Sequence, residues 1–166
     1  MSDHLVSTTI ETPIGPLTLV ASAVGLRAVL WPDDDPTRVR LGERSDGAAD
    51  PTLAAAAVQL DEYFAGSRRS FDVPLDPVGT DFQRSAWAVL RQIPFGTTIS
   101  YAEQADRMGD RRKARAVGGA NARNPLSIVV PCHRVVGSAG TLTGFAGGVD
   151  TKAWLLAHET AVTGTG

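Results

Sequence analysis

From Leu5 to Trp31 apolar and polar positions alternate in short runs: LVSTTIE, the turn PIGP, LTLVAS, a turn at Val24 and Gly25, then LRAVLW. A period of two between turn formers predicts a strand meander, hence an antiparallel sheet. PDDDPTRVRLGERSDGAAD, residues 32–50, is polar and rich in turn formers, and reads as a surface loop with little regular structure. The period then lengthens. Asp50 as N-cap and Pro51 at the first helical position precede Leu53, Ala57, Leu60 and Phe64 at helical spacing, with Gly66 as the stop. This helix is expected to cover one face of the sheet. VPLDPVG, residues 73–79, reads as a linker, so two domains are expected, 1–79 and 80–166.

The second part opens with Thr80 as N-cap of a helix whose buried stripe is Phe82, Ala86, Val89 and Ile93, ended by Pro94 and Gly96. Trp87 on this helix reads as core. SYAE, from Ser100, is a capping box that starts a helix ending near Gly109. A further helix, roughly 111–121, follows after a short turn, which gives the outline of a helix-turn-helix. Its Ala114, Ala116, Gly118, Gly119 and Ala120 leave it nearly bald, although each interior glycine costs about 1 kcal/mol of helix stability. Something must approach its backbone closely. Another helix would serve, and so would a nucleic-acid groove, with Arg115 as the long side chain on the small surface.

Charge bears on the choice without settling it. The net charge is −2, but residues 1–79 carry 6 Lys+Arg against 12 Asp+Glu while residues 80–166 carry 10 against 6. The densest basic stretch is 107–123, with six basic residues against Asp110. A solvated helix face accounts for such a stretch as well as a phosphate contact does. Nothing in the 166 residues approaches the ~20 apolar positions of a membrane span, and the first residues lack a secretory signal, so a cytoplasmic location is expected. One cysteine and three scattered histidines leave no zinc spacing, so no metal and no cofactor are expected.

That cysteine, Cys132, stands in IVVPCHRVVG. On a strand Cys132 and His133 would point to opposite faces, but Pro131 breaks a preceding strand and favours a tight turn after SIVV. There the imidazole could take the thiol proton, directly or through a water, and leave a thiolate nucleophile. An inert buried cysteine is the other reading.

PCHRVV, with ISYAE, KARAVGGAN and NP upstream and GTLTGFAGG and LLAHE downstream, resembles the O6-alkylguanine-DNA alkyltransferase family over residues 80–159. Residues 1–79 resemble it only in general plan. The resemblance implies an α/β (α+β) fold, an antiparallel sheet with a covering helix joined to a mostly helical DNA-binding domain. It implies stoichiometric, irreversible transfer of an alkyl group from O6-alkylguanine, and from O4-alkylthymine, in double-stranded DNA to Cys132.

It further implies that His133 takes the thiol proton through water, that Glu159 polarises His133, and that Asn124 ties the helix-turn-helix to the active-site turn, with Arg134 structural beneath. Tyr101 would donate to guanine N3, Arg115 would occupy the stack vacated by a flipped base, and the small face at Gly118 would enter the minor groove. Arg112, Lys113 and Arg123 would meet phosphates. Phe145 and Ala146 would wall the pocket, with the Val135 carbonyl on the exocyclic amine; Phe145 departs from the tyrosine of many relatives. A monomer is expected. A non-catalytic alkylated-DNA-binding module would lack the acceptor cysteine, and a cysteine hydrolase would need an oxyanion hole that no motif marks.

Overall fold

A computed structural model describes residues 4–164; Met1–Asp3, part of the opening stretch read for a secretory signal, lie outside the described residues. The meander forms as the alternation predicts: β1 (Leu5–Ile10), β2 (Leu17–Ala21) and β3 (Leu26–Leu30) pair antiparallel, with Val6 opposite Ala21 and Thr18 opposite Leu30. The sheet is nevertheless mixed. A fourth strand, β4 (Arg44–Asp46), runs parallel to β1 at the edge, giving the order β3-β2-β1-β4. It lies inside the stretch expected to be irregular. All three of its side chains are exposed, so it has no apolar pattern, and only backbone pairing holds it.

α1 (Pro51–Phe64) starts where its cap requires, the Asp50 carboxylate accepting from Leu53 N. Its buried face is Leu53, Ala56, Leu60 and Tyr63, so the stripe is rotated by one residue from Ala57 and Phe64. This face packs on Leu17, Leu19 and Ala21; Val20, Ala28 and Leu5 on the opposite face are covered by Val39 and Leu41 of the long loop.

The 73–79 segment is tied down rather than loose. Leu26 N donates to Pro74 O and Asp76 N to Leu26 O, both at 2.8 Å, while the Asp76 carboxylate receives Arg27 and Ser22. Gly25 permits this approach, since a Cβ there would lie 2.6 Å from Pro74 O.

α2 (Asp81–Leu90) begins with a full capping box between Thr80 and Gln83 and buries Ala86, Trp87, Val89 and Leu90. β5 (Ile99–Ser100) pairs in parallel with β6 (Val135–Val136). At α3 (Tyr101–Arg107) only half of the expected box forms: Ser100 accepts from Glu103 N, but the Glu103 carboxylate takes Arg107 instead. Gly109, at φ 104°, turns the chain into a 3₁₀ turn at Arg111–Lys113 and then α4 (Ala114–Ala122). A reciprocal pair of buried amides, Gln104 with Asn121 at 2.8 and 3.0 Å, fixes α3 against α4, and Trp87 Nε1 donates to Ala120 O at 2.9 Å. α5 (Val149–Thr163) closes the fold.

One apolar core runs through both halves, from Leu17 and Tyr63 to Trp87 and Leu155. Backbone and side chains stitch the seam. Val29 N donates to Pro125 O at 2.8 Å, and Trp31 Nε1 to Ser127 Oγ at 3.0 Å.

Candidate active site

Cys132 lies in a 3₁₀ turn at Cys132–Arg134, as the proline argument expects, but no strand precedes it. Leu126 bridges to Val29, and the chain then turns through Ile128, a buried β-branched residue held at φ 73°. Such a residue in the left-handed region costs about 1–3 kcal/mol and persists only under external constraint. Asn124 supplies part of it: its Oδ1 accepts from Leu126 N at 3.0 Å and its Nδ2 donates to Val130 O at 2.8 Å, so one amide spans the turn. The same side chain lines the pocket at Cys132 and favours its thiolate.

Cys132 is 8% exposed and lines a narrow pocket of about 10 Å³. Tyr101, Asn124, Phe145 and Ala146 line it, and its mouth shares Tyr101, Phe145 and Ala146 with an open cavity of about 790 Å³. Burial pushes the Cys132 thiol up, so it rests protonated. The Asn124 side chain and the charges of Lys152 and Arg38 oppose that rise and favour the thiolate.

His133 is wholly buried beside it. Its Nε2 lies 2.6 Å from Glu159 Oε2, whereas Nδ1 is buried with no protein partner among the described residues. Glu159 also receives Arg134 Nε at 2.9 Å, Arg134 Nη2 at 3.1 Å, Gly96 N at 3.0 Å and Tyr63 Oη at 2.7 Å. Burial pushes its carboxyl up, but hydrogen bonds and charge from His133 and Arg134 outweigh that and hold it well below the usual carboxylate range. An ionised carboxylate only accepts, so His133 Nε2 carries the hydrogen and Nδ1 presents a lone pair. Burial also pushes the imidazole below its ordinary value, and the Glu159 hydrogen bond and charge oppose this without reversing it. A neutral histidine with one buried ring nitrogen that can accept is what a base for a neighbouring thiol requires.

The large cavity gathers most of the other expected residues: Tyr101, Arg115, Gly118, Arg123, Phe145 and Ala146. Arg115 is exposed, and no bond engages its guanidinium among the described residues. Arg123 donates to Thr37 O at 3.0 Å, Arg112 pairs with Asp110 at 3.0 Å, and Lys113 sits 5.7 Å over the Phe82 ring, the last two outside the cavity lining. Val135 is not brought to the others; it is fully buried in β6 and lines neither space. Arg134 does lie beneath the turn, between Glu159, Ile93 O and the Phe95 ring.

Four residues escaped the sequence reading. Arg38, from the acidic half, pairs with Asp34 and donates to Asn124 O at 2.6 Å, so the long loop walls the cavity. Trp31 packs edge-on against Phe145, with ring centroids 5.4 Å apart. Tyr63 reaches Glu159. Lys152 is 1% exposed, its Nζ donating to Thr143 O and lying 5.8 Å over the Tyr101 ring. Only the last carried a signal: Lys152, Leu155 and Glu159 recur at i, i+3 and i+7, the buried face of α5.

Among the described residues no helix is long and apolar enough to cross a membrane, and no group of three His, Cys, Asp or Glu could hold a metal ion.

Two domain-family models match the chain: 6-O-methylguanine DNA methyltransferase, ribonuclease-like domain, over residues 5–77, and 6-O-methylguanine DNA methyltransferase, DNA binding domain, over residues 81–161. A methylated-DNA–protein-cysteine methyltransferase of Methanosarcina acetivorans is 43% identical over 155 residues, covering 90% of this chain and 94% of the relative. One of Mycobacterium tuberculosis is 48% identical over 158 residues, with 91% and 90% covered. The crystal structure of Mycobacterium tuberculosis OGT in complex with DNA is similar at a TM-score of 0.84 and 44% identity, over 96% of this chain and 94% of that one.

Proposed function

Since the chain belongs to the 6-O-methylguanine DNA methyltransferase family, we propose that Cys132, the only cysteine it has, is the acceptor of the alkyl group. The protein repairs alkylated DNA by direct transfer of an alkyl group to its own cysteine. The observation that carries the assignment of parts is the buried His133 Nδ1, which no protein group engages among the described residues, on a histidine whose Nε2 is committed to Glu159.

The thiol proton passes to Nδ1 through one water, and the imidazolium so formed is stabilised by Glu159. The sulfur attacks the O6-alkyl carbon in line; the S–C bond forms as the C–O6 bond breaks, and the electron pair goes to guanine. Tyr101 donates to the charge developing at N3, and the Ala146 amide lies toward O6. Guanine then takes up a proton, so thiol hydrogen and alkyl group have changed places. A thioether has no route back to thiolate, so each molecule acts once.

Supporting base flipping is the 790 Å³ cavity, large enough for an extruded nucleobase and floored by the thiol pocket. α3 and α4 carry the protein into the minor groove, the small face at Gly118 admitting the backbone, Arg115 filling the vacated stack, and Arg112, Lys113 and Arg123 meeting phosphates. In this reading residues 80–166 hold the chemistry and residues 1–79 brace it, the protein working as a monomer in the cytoplasm on O6-alkylguanine and O4-alkylthymine. A purely lesion-binding role has no use for an acceptor thiol so placed.

Intact mass after incubation with an O6-methylguanine oligonucleotide tests this. The mass rises by about 14 Da and stops, the gain maps to Cys132, and Cys132→Ala binds DNA but gains nothing. Repeated turnover by one protein molecule would overturn the assignment.

A further inference from the structure

The carboxylate that orients His133 is not held by the C-terminal half alone. Of the groups on Glu159 Oε2, His133 Nε2 and Arg134 Nη2 come from the active-site turn, but the hydroxyl of Tyr63 comes from α1, 96 residues away in sequence. Tyr63 is 0% exposed, and its ring is enclosed by Phe64, Phe71, Phe95 and His158, with centroids 5.2 to 5.9 Å away. Among the described residues its hydroxyl has no other hydrogen-bond partner, so its proton has one place to go.

We propose that Tyr63 is a positioning residue for alkyl transfer: by donating to the oxygen that His133 also uses, it fixes the Glu159 carboxylate and limits how strongly that carboxylate raises the basicity of His133. This rests on the reading of His133 as base to Cys132. The logic is competition at one oxygen. Each donor on Oε2 neutralises part of the charge that would otherwise favour an imidazolium, so withdrawing one leaves His133 more basic. The hydroxyl cannot lend its proton away, because burial together with the Glu159 charge and hydrogen bond pushes Tyr63 far above the ordinary phenol range. It acts as a fixed dipole, and it makes the N-terminal half part of the relay.

The titratable and charged groups around this cluster are few. Glu159, His158 and Lys152 face it from α5, Tyr63 from α1 and Arg134 from the turn; Arg69 lies outside it, 5.5 Å over the Phe95 ring, and Arg38 acts on Cys132. His158 needs its own control, since its Nε2 lies 2.8 Å from Tyr63 O.

The test is the pH profile of single-turnover transfer from an O6-methylguanine duplex, with protein in excess. The rate falls on the acid side as His133 takes a proton. In Tyr63→Phe that limb moves to higher pH by the order of one unit, so that below the limb the variant is about tenfold slower than wild type. Phe71→Leu, which loosens the same ring cluster without touching Glu159, and His158→Gln both leave the limb in place.

Should Tyr63→Phe not fold, 3-fluorotyrosine decides. The chain has two tyrosines, so in a Tyr101→Phe background the label falls on Tyr63 alone. Fluorination makes the phenol a stronger donor, and the limb moves to lower pH than in the unlabelled Tyr101→Phe protein. A limb that stays put in both, or that Phe71→Leu moves equally, overturns the proposal. An unalkylated Cys132 in wild type would instead strike the reading beneath it.

Discussion

Replacing Gly118 and Gly119 by alanine separates the two uses of a bald helix. Both glycines lie inside α4 and neither has a positive φ, so alanine adopts their backbone without strain. A Cβ on Gly119 meets nothing within 4 Å, and one on Gly118 lies 3.8 Å from the Tyr101 ring, an ordinary contact. The protein itself therefore has no reason to keep them small. Each substitution gains about 0.5–1 kcal/mol of helix stability, roughly 1–2 kcal/mol for the pair, which for a chain of this size raises Tm by about 3–6 °C. Repair moves the other way. Gly118 faces the large cavity, and a methyl group between helix and DNA backbone acts as overpacking, at about 1–3 kcal/mol, or roughly five- to 150-fold in duplex affinity. Transfer from a free O6-alkylguanine base changes little, because the thiol pocket is untouched. Thermal unfolding and single-turnover rates on the two substrates measure this. A Tm gain with undiminished duplex repair would refute the idea that the small surface exists for DNA; no Tm gain would refute the energetic premise.

Arg115→Ala leaves Tm unchanged within the ~0.5 kcal/mol usual for exposed positions but slows repair of duplex DNA much more than transfer from the free base; equal losses would count against a role in holding the flipped state. Tyr101→Phe slows transfer on one methylated duplex by more than Phe145→Tyr alters it, the latter staying under the ~1.4 kcal/mol of a tenfold change, and the reverse order would place the polar contact on the wrong wall. Acid destabilises the fold in two stages. The folded value of His133 is depressed, so its contribution is whole above 6.5 and is lost as pH falls below that value, and that of Glu159 follows below 4.5. Tm measured from pH 8 to 4 shows both stages, and His133→Gln removes the first; a flat Tm between pH 7 and 5 would mean that the buried imidazole is not neutral.

The legible parts were those written in local chemistry. Asp50-Pro51 and Thr80 each mark a helix start through a hydrogen bond spanning three residues, and both form. Pro131 marked Cys132 as a turn residue, and the turn forms, although no strand precedes it. The resemblance implied that Glu159 engages His133, and the geometry joins the two directly. What escaped depends on distance along the chain. β4 is three polar residues held by pairing with β1, and nothing in RSD announces a partner some forty residues earlier. Tyr63 and Ala56 were missed because stripes at Phe64 and Ala57 fit a helical period equally well, and only docking on the sheet selects between faces a residue apart. Nor do Pro74 and Pro77, which mark residues 73–79 as a linker, announce that the carbonyl of Pro74 is bonded to β3.

The donors on Glu159 lie 96, 63, 26 and 25 residues away in sequence, at Tyr63, Gly96, His133 and Arg134. Each such contact closes a loop whose entropic cost grows slowly with its length, and non-local contacts of this kind slow folding. The helices and hairpins around them can arise early from local contacts; the relay cannot. A C-terminal half folded alone would keep His133 on Glu159 but lack the Tyr63 hydroxyl on the same carboxylate, and an N-terminal half carries no Cys132. In the proposed mechanism the full set of donors on Glu159 therefore exists only once both halves have docked, so a molecule that can react only once has its complete relay only when it is finished.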